Sequence, residues 1–137
     1  MTDTATLLQR AGIQATPQRV AVARFVFGTA SHPTADEAWA QVRRACPSIS
    51  RATVYNTLNL LVEEGLLRTQ ILRGGTVVFD PRLEPHHHFV DERTGRIYDI
   101  PWEAVNVTRD ESLDGFDVHE YQVVMRGRRR RSNTADP

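Results

Sequence analysis

The residue types best suited to chemistry are three adjacent histidines, His86, His87 and His88. Residues two apart on a β-strand point to the same face, so His86 and His88 are expected to share a face while His87 points away. Asp99 can come opposite them on the strand predicted to pair with theirs. Two imidazoles and a carboxylate on neighbouring strands make a plausible site for a divalent metal. A polar surface strand without a metal is the alternative.

Two further residues, His32 and Asp80, add to this site only if the fold brings them close. The sequence has one cysteine, Cys46, so it forms no internal disulfide and no thiolate zinc site. Nitrogen and oxygen ligands suit Fe(II), Mn(II), Zn(II) or Co(II) better than Cu(I).

The first half of the chain contains signals for helices that would position these residues. Thr16-Pro17 and Ser50 are typical helix starts, and Thr34 with Glu37 forms a capping box. We therefore predict helices over residues 4–12, 17–27, 35–45 and 51–64.

The last of these helices has two contrasting faces. Its apolar residues recur at a spacing that places them on one side, which is expected to be buried. The opposite face carries Ala52, Thr53, Asn56 and Asn59, with Tyr55 at the edge. Short uncharged side chains with amides and a hydroxyl are suited to reading base edges in a major groove.

Two β-rich runs, Leu66–Leu72 and Thr76–Asp80, flank Arg73-Gly74-Gly75 and predict a hairpin. Three helices followed by a hairpin is the order of a winged helix-turn-helix domain. The residues expected to contact DNA are Arg19, Arg51, Thr53, Tyr55, Asn56, Arg68 and Arg73, with Arg51, Arg68 and Arg73 at phosphates. A winged-helix module that binds protein instead of DNA is the alternative.

Pro81 and Pro85 bracket a predicted linker, which gives domains over residues 1–81 and 85–137. The second domain is expected to contain a hairpin over 86–91 and 96–100, a short helix over 101–107 and a strand over 116–126. Such a small sheet buries little core alone, so we expect it to pair with a second copy. The predicted fold class is α+β.

Charge is distributed unevenly along a chain whose net charge is zero. Residues 1–82 have nine arginines and six acids, residues 83–125 have three and ten, and residues 126–137 have five and one. An acidic, histidine-rich segment beside basic ones suggests cations on one side and polyanions on the other. No apolar run approaches the roughly 20 residues of a membrane span, and no secretory signal is visible, so we expect a cytoplasmic protein.

Several motifs in order resemble the ferric uptake regulator family. They are Thr16-Pro-Gln-Arg19, His32-Pro-Thr-Ala-Asp-Glu37, Ser50-Arg-Ala-Thr-Val-Tyr-Asn-Thr-Leu58, and His86-x-His88 followed by Gly95-Arg-Ile-Tyr-Asp99. The resemblance covers roughly residues 5–127. It implies an N-terminal winged helix-turn-helix domain and a small C-terminal α/β dimerisation domain. It also implies a homodimer on a near-palindromic double-stranded DNA operator, and not an enzyme. Because every metal ligand would be used up and no general base is placed, a metalloenzyme is the weaker alternative.

The resemblance further implies one divalent metal per subunit, bound at the hinge between the domains by His32, Asp80, His86, His88 and Asp99. Fe(II) or Mn(II) is expected in the cell, and Zn(II) remains open. Asp99 stands where iron-uptake members usually have Glu. This resembles the peroxide-sensing branch, in which bound Fe(II) reacts with peroxide and a ligand histidine is oxidised.

The sequence also departs from the family's pattern. Where many members have two C-x-x-C pairs for a structural zinc, this chain has Asp91 and Thr94, and Arg128. We therefore expect no structural zinc. The haem-linked iron-response regulators also lack these cysteines, so haem sensing, with Cys46-Pro47 as a weak haem motif, stays an alternative. A second, peripheral metal site at His87, His119 and Glu120 is a further expectation.

Overall fold

The computed structural model of the protein describes residues 3–108 and 113–130, apart from the side chain of Arg73. Its elements separate into two units, Met1–Leu83 and Glu84–Pro137. Within the described residues, no helix is long and apolar enough to cross a membrane.

The first unit contains four helices and a two-stranded sheet. The elements are α1 (Thr4–Arg10), α2 (Pro17–Gly28), α3 (Ala35–Val42), α4 (Arg51–Glu63), β1 (Arg68–Arg73) and β2 (Thr76–Asp80). Their order is that of a winged helix-turn-helix domain. The apolar faces of α2, α3 and α4 meet in one core, whose fully buried members include Val22, Val26, Val54, Leu58 and Leu61.

The predicted helix starts are present. Thr16 and Ser50 each accept a hydrogen bond from the backbone N–H three residues later. In the capping box, Glu37 N–H donates to Thr34 Oγ1 at 3.1 Å, and Thr34 N–H donates to Glu37 Oε1 at 2.9 Å. These contacts satisfy amides that the helix itself leaves without partners.

The hairpin of β1 and β2 turns at Gly74-Gly75. Both glycines have positive φ, 52° and 82°, which a tight two-residue hairpin turn requires and other residues rarely adopt. The strands are antiparallel, and Arg68 pairs with Asp80. The register shifts between Ile71 and Arg73, so the turn and this irregularity together set Asp80 opposite Arg68.

The second unit is built on a three-stranded sheet in the order β4-β3-β5. Its elements are β3 (His87–Asp91), β4 (Ile97–Ile100), a one-turn 3-10 helix (Trp102–Ala104) and β5 (Val124–Gly127). The pair β3–β4 is antiparallel, whereas β5 runs parallel to β3. Helices in the first unit and a sheet in the second make the fold class α+β, as predicted.

Three predicted helices end at least two residues sooner in the structure. The first stops at Arg10 because Gly12 takes a left-handed conformation, with φ of 80°. After α3, the N–H groups of Arg44 and Ala45 donate to carbonyl oxygens three residues earlier, so Arg43–Ala45 forms turns instead of α-helix. The helix predicted over 101–107 is limited to one turn, because Val105 is already extended.

Four strand predictions are also corrected. The strands predicted over 86–91 and 96–100 each begin one residue later, at His87 and Ile97, so His86 lies just before β3. The first strand of the hairpin begins at Arg68 and not at Leu66. The strand predicted over 116–126 is β5 alone, which begins at Val124. Phe116 is 74 % exposed and Val118 is 42 % exposed, so within the described chain these β-forming residues have no sheet to join.

Candidate metal centre

The second unit brings together the two histidines, His86 and His88, and the carboxylate of Asp99. Pairing of β3 with β4 sets His88 opposite Asp99. The Nε2 atoms of His86 and His88 each lie 3.5 Å from Asp99 Oδ1. Both imidazoles are buried, and the Asp99 side chain is 23 % exposed.

The other nitrogen of each ring has a fixed partner. His86 Nδ1 lies 2.7 Å from the carbonyl oxygen of Glu84, and His88 Nδ1 lies 2.8 Å from Gln122 Oε1. Since both partners are acceptors, each Nδ1 donates its proton, and each Nε2 of the neutral ring carries a lone pair. Histidines that bind metals are commonly held in this way.

The arrangement fits a divalent metal. Two nitrogen lone pairs and a carboxylate oxygen converge on one region and repel one another. A cation bound between them would attract all three donors. Ligands about 2.1 Å from a metal are about 3.0–3.4 Å apart in octahedral or tetrahedral geometry, close to the separations here. The donor set, without a thiolate, suits Fe(II), Mn(II) or Zn(II).

The first unit holds the other two candidate ligands as a pair. His32 Nε2 lies 3.5 Å from Asp80 Oδ2, and both side chains are buried. The Phe79 N–H donates to the carbonyl oxygen of Pro33, which ties the His32 loop to β2. Asp80 Oδ1 accepts the N–H of Arg82. His32 has a φ of 53°, a strained conformation for a residue other than glycine. Such strain is often found at functional sites.

His87 points away from the other two histidines and is held differently. Its ring stacks on Trp102, with centroids 4.5 Å apart, and its Nδ1 accepts the N–H of Val123. Only Nε2 remains for a metal. His119 and Glu120 are exposed. Across residues 3–108 and 113–130, the structure does not gather these three side chains into a group of ligands.

Asp91, at a position where the resemblance implies a zinc-binding cysteine in many relatives, is buried and accepts several backbone hydrogen bonds. Its Oδ1 accepts the N–H groups of Arg93 and Thr94, and its Oδ2 accepts that of Arg129. Burial acts to raise the pKa of this carboxyl, but the hydrogen bonds outweigh it, so the pKa of Asp91 lies below its ordinary value. The carboxylate thereby joins the turn after β3 to the segment after β5.

The outer face of α4 is polar and accessible, as its pattern predicts. Ala52, Asn56 and Asn59 are exposed, and Thr53 is half-buried. Beside this face lies a groove of about 300 Å³, whose walls come from the start of α2 and from α4: Thr16, Gln18, Arg19, Thr53, Asn56, Thr57 and Leu60. Three predicted DNA contacts, Arg19, Thr53 and Asn56, thus line one groove.

The other predicted DNA contacts lie beside it or on the hairpin. Tyr55 and Arg51 both contact Asp36 of α3, at 2.7 and 3.5 Å. Arg68 is half-buried on β1, where it pairs with Asp80. The side chain of Arg73 lies outside the part of the chain that the structure describes.

A model of the ferric uptake regulator family matches residues 10–126. The chain belongs to this family. It is therefore a transcriptional regulator and not an enzyme. Because members of this family regulate transcription in response to metals, the broad function of this chain is that of a metal-responsive transcriptional regulator.

The similar proteins include two repressors and two solved structures. The peroxide-responsive repressor PerR of Staphylococcus aureus strain Mu50 is 31 % identical over 122 residues, which cover 88 % of this chain and 82 % of that protein. PerR of Staphylococcus epidermidis is 30 % identical, over 88 % of this chain and 81 % of its own. The Campylobacter jejuni peroxide stress regulator has 29 % identity, a TM-score of 0.66 and coverage of 91 % and 92 %. The Vibrio cholerae ferric uptake regulator, at 21 % identity, shares the fold with a TM-score of 0.74, over 92 % and 99 %.

The sequence did not reveal the residues that orient the candidate ligands His86 and His88. The acceptor for His86 is the backbone of Glu84, which no side-chain pattern reveals. Gln122 precedes β5 and is 34 residues from His88, so only the parallel pairing of β5 brings it close. Asp36 lies within a motif that predicts the start of a helix, and no feature of the sequence indicates that it contacts Tyr55.

Proposed function

We propose that the protein is a repressor whose DNA binding depends on one divalent metal per subunit, held by His32, Asp80, His86, His88 and Asp99. The observation that carries the proposal is the convergence of two histidine Nε2 atoms on Asp99, with each Nδ1 already engaged. The buried pair of His32 and Asp80 supplies the remaining two donors. Fe(II) or Mn(II) is the proposed metal in the cell, and Zn(II) is compatible with the same donors.

The proposed switch follows from where the donors lie in the chain. His32 and Asp80 belong to the unit with the winged helix, whereas His86, His88 and Asp99 belong to the other unit. A metal that binds all five restricts the orientation of one unit relative to the other. Metal affinity and DNA affinity are then coupled reciprocally, typically by about 1–3 kcal/mol.

We propose that residues 1–81 bind DNA in the major groove with the outer face of α4, and that residues 85–137 dimerise. Arg19, Thr53 and Asn56 line the groove beside α4, and Arg51, Arg68 and Arg73 are proposed at phosphates. A two-fold dimer would bind a near-palindromic operator, with recognition helices one or more helical turns apart. A regulator of chromosomal genes would act in the cytoplasm.

We propose that no structural zinc is needed. Asp91 stands at a cysteine position of the family's zinc site, and its carboxylate connects the turn at Arg93 and Thr94 to the backbone of Arg129. A carboxylate that accepts backbone N–H groups can join these segments without a metal.

A second candidate is that the signal is hydrogen peroxide. It is favoured by relatives named as peroxide-responsive repressors and by aspartate at position 99. With iron bound to supply the redox chemistry, one ligand imidazole would gain one oxygen atom from hydrogen peroxide, and the other oxygen would leave as water. Tryptic peptides 25–43 and 83–93 contain the candidate histidines. Protein loaded with Fe(II) and exposed to peroxide should show a gain of one oxygen there, and Mn(II)-loaded protein should not. No gain with Fe(II) would exclude this candidate.

Metal-dependent selection of DNA tests the main proposal. Purified protein, freed of metal with a chelator, is incubated with a randomised duplex pool with and without Mn(II). An enriched sequence should bind at least about fivefold more tightly in one of the two conditions, the lower end of the coupling between metal and DNA binding. Asp99→Ala should remove that difference, whereas Asp114→Ala, an exposed acid elsewhere in the second unit, should retain it. Equal responses of the two variants to Mn(II) would contradict the proposed ligand set.

A further inference from the structure

The phenol of Tyr55 is held by a residue of the preceding helix. Tyr55 lies in the second turn of α4 and is 37 % exposed, on the side of the proposed DNA contacts. Its Oη donates a hydrogen bond to Asp36 Oδ1, at 2.7 Å. Asp36 is in the first turn of α3, so the contact joins the two helices of the helix-turn-helix.

The same carboxylate oxygen is held from a second direction. The Nε atom of Arg51 lies 3.5 Å from Asp36 Oδ1, and its guanidinium lies 4.8 Å from the ring centre of Trp39. The indole N–H of Trp39 donates to the carbonyl oxygen of Ile49, which fixes the ring. Asp36 Oδ1 thus contacts both Tyr55 and Arg51, although the side chain of Asp36 is 60 % exposed.

The hydrogen bond determines what the phenol can still do. A phenol has one proton, and here that proton is directed at a carboxylate. The phenol of a tyrosine is protonated at neutral pH, and the hydrogen bond to Asp36 raises the pKa of Tyr55 further. Its remaining lone pairs can only accept hydrogen bonds. Phosphate oxygens, guanine O6 and N7, and thymine O4 are themselves acceptors and cannot pair with it.

On the basis of the proposed DNA-binding function, we propose that Asp36 makes Tyr55 an acceptor-only reader of the major groove. Such a phenol selects the amino group of adenine or cytosine, the two donors on base edges in that groove. Asp36 is a positioning residue, because it acts through Tyr55 and not on the base itself.

A purely structural role for Asp36 would have different consequences. An acid in the first turn of a helix is favourable there because of the helix dipole, whatever Tyr55 does. Next to DNA, the same charge opposes binding of every sequence, because it repels the phosphates. Neither effect distinguishes one base from another, so base preference separates the two explanations.

The test uses the duplex selected by the full-length protein, with every base pair replaced in turn. The parent should show a position in each half-site where adenine or cytosine is preferred. Tyr55→Phe should reduce that preference by about fivefold, the effect of one hydrogen bond. Asp36→Ala should also reduce it, because the freed hydroxyl can then donate to guanine or thymine. The double variant should be no less selective than Tyr55→Phe alone.

Overall affinity provides the internal comparison. Asp36→Ala removes a negative charge, so it should tighten binding to all duplexes alike, in both the parent and the Tyr55→Phe background. If Asp36→Ala changes only this uniform affinity and leaves base preference intact, the inference is wrong. It is also wrong if Tyr55→Phe changes no preference.

A measurement without DNA separates this inference from the proposed function. The protein has three tyrosines, and in ¹³C-labelled protein the resonance of Tyr55 can be assigned with Tyr55→Phe. Asp36→Ala should lower the pKa of Tyr55 toward its ordinary value. An unchanged pKa would mean that the hydrogen bond is absent and would overturn the inference alone. Failure of the parent to bind any duplex would overturn the proposed function, and the reading role with it.

Discussion

Gln122 Oε1 lies 2.8 Å from His88 Nδ1, although 34 residues separate them in the chain. Gln122 directly precedes the segment that pairs with β3, since His88 is in register with Val124 of β5. The His88 imidazole, which faces Asp99, is therefore oriented by a residue that lies just before the last strand of the sheet and is brought close by the pairing of that strand. This makes Gln122 a support for the proposed metal ligand.

Gln122→Ala should lower metal affinity about tenfold, the lower end of what loss of such a supporting contact costs. Gln122→Glu, which still offers an acceptor to Nδ1, should retain most of the affinity. Isothermal titration with Mn(II) measures both variants against Gln41→Ala, an exposed glutamine in the other unit. Parent-like affinity in Gln122→Ala would show that the ring is oriented without this contact.

His32→Ala should uncouple metal from DNA. The proposed switch needs a ligand in the winged-helix unit, so without His32 a weaker metal site should remain on His86, His88 and Asp99. Operator affinity, measured by fluorescence anisotropy across a Mn(II) titration, should then no longer depend on metal. If the variant still responds as strongly as the parent, the coupling passes through Asp80 or through dimer geometry.

Asp91→Asn should destabilise the protein by several degrees in thermal unfolding at neutral pH. Asparagine keeps the shape, but an amide NH₂ in place of Oδ2 cannot accept the N–H bond of Arg129. Because the pKa of Asp91 is lowered in the folded protein, its stabilising effect is present above the unfolded-state pKa of about 3.9 and is lost as pH falls through the folded value.

The gap in melting temperature between the parent and Asp91→Asn should therefore be constant at neutral pH and should close in acid below about pH 4. Asp114→Asn, at an exposed acid, is the control and should shift melting little at any pH. A gap that persists unchanged into strong acid would mean that the charge of Asp91 contributes nothing.

Removal of metal should leave the dimer intact. With Asp91 in place of a zinc ligand, the second unit is expected to fold without a structural metal. After dialysis against a strong chelator, sedimentation should still report a dimer, and elemental analysis should show less than one metal per subunit. Dissociation or unfolding on chelation would instead make metal binding part of the folding energy, as in small zinc domains.

Local signals allowed much of the first unit to be predicted from the sequence. Thr34 with Glu37, and Gly74 with Gly75, determine structure through contacts within a few residues, and these elements are present in the structure. The alternation of histidines likewise separates His87 from His86 and His88, since a strand has a period of two.

Long-range pairing explains what could not be predicted. Val118 and Val123 have high strand propensity, but propensity does not specify a partner strand, and β5 begins only at Val124. The contacts of Gln122 and Asp91 depend on that same pairing. In the same way, nothing in the spacing of Asp36 and Tyr55 shows that two helices will bring a carboxylate to the phenol.

The parallel pairing of β5 with β3 affects how early during synthesis the protein can respond to metal. Parallel strands need a long connection, and closing it is slow because chain entropy is lost before contacts form. A chain is synthesised from its N-terminus, so the winged helix can fold while β5 is still being made. Gln122 and the Arg129 amide reach His88 and Asp91 only after that. A nascent chain would therefore acquire its proposed DNA-reading surface before the proposed metal ligand His88 is oriented, so responsiveness to metal would be the last property to mature.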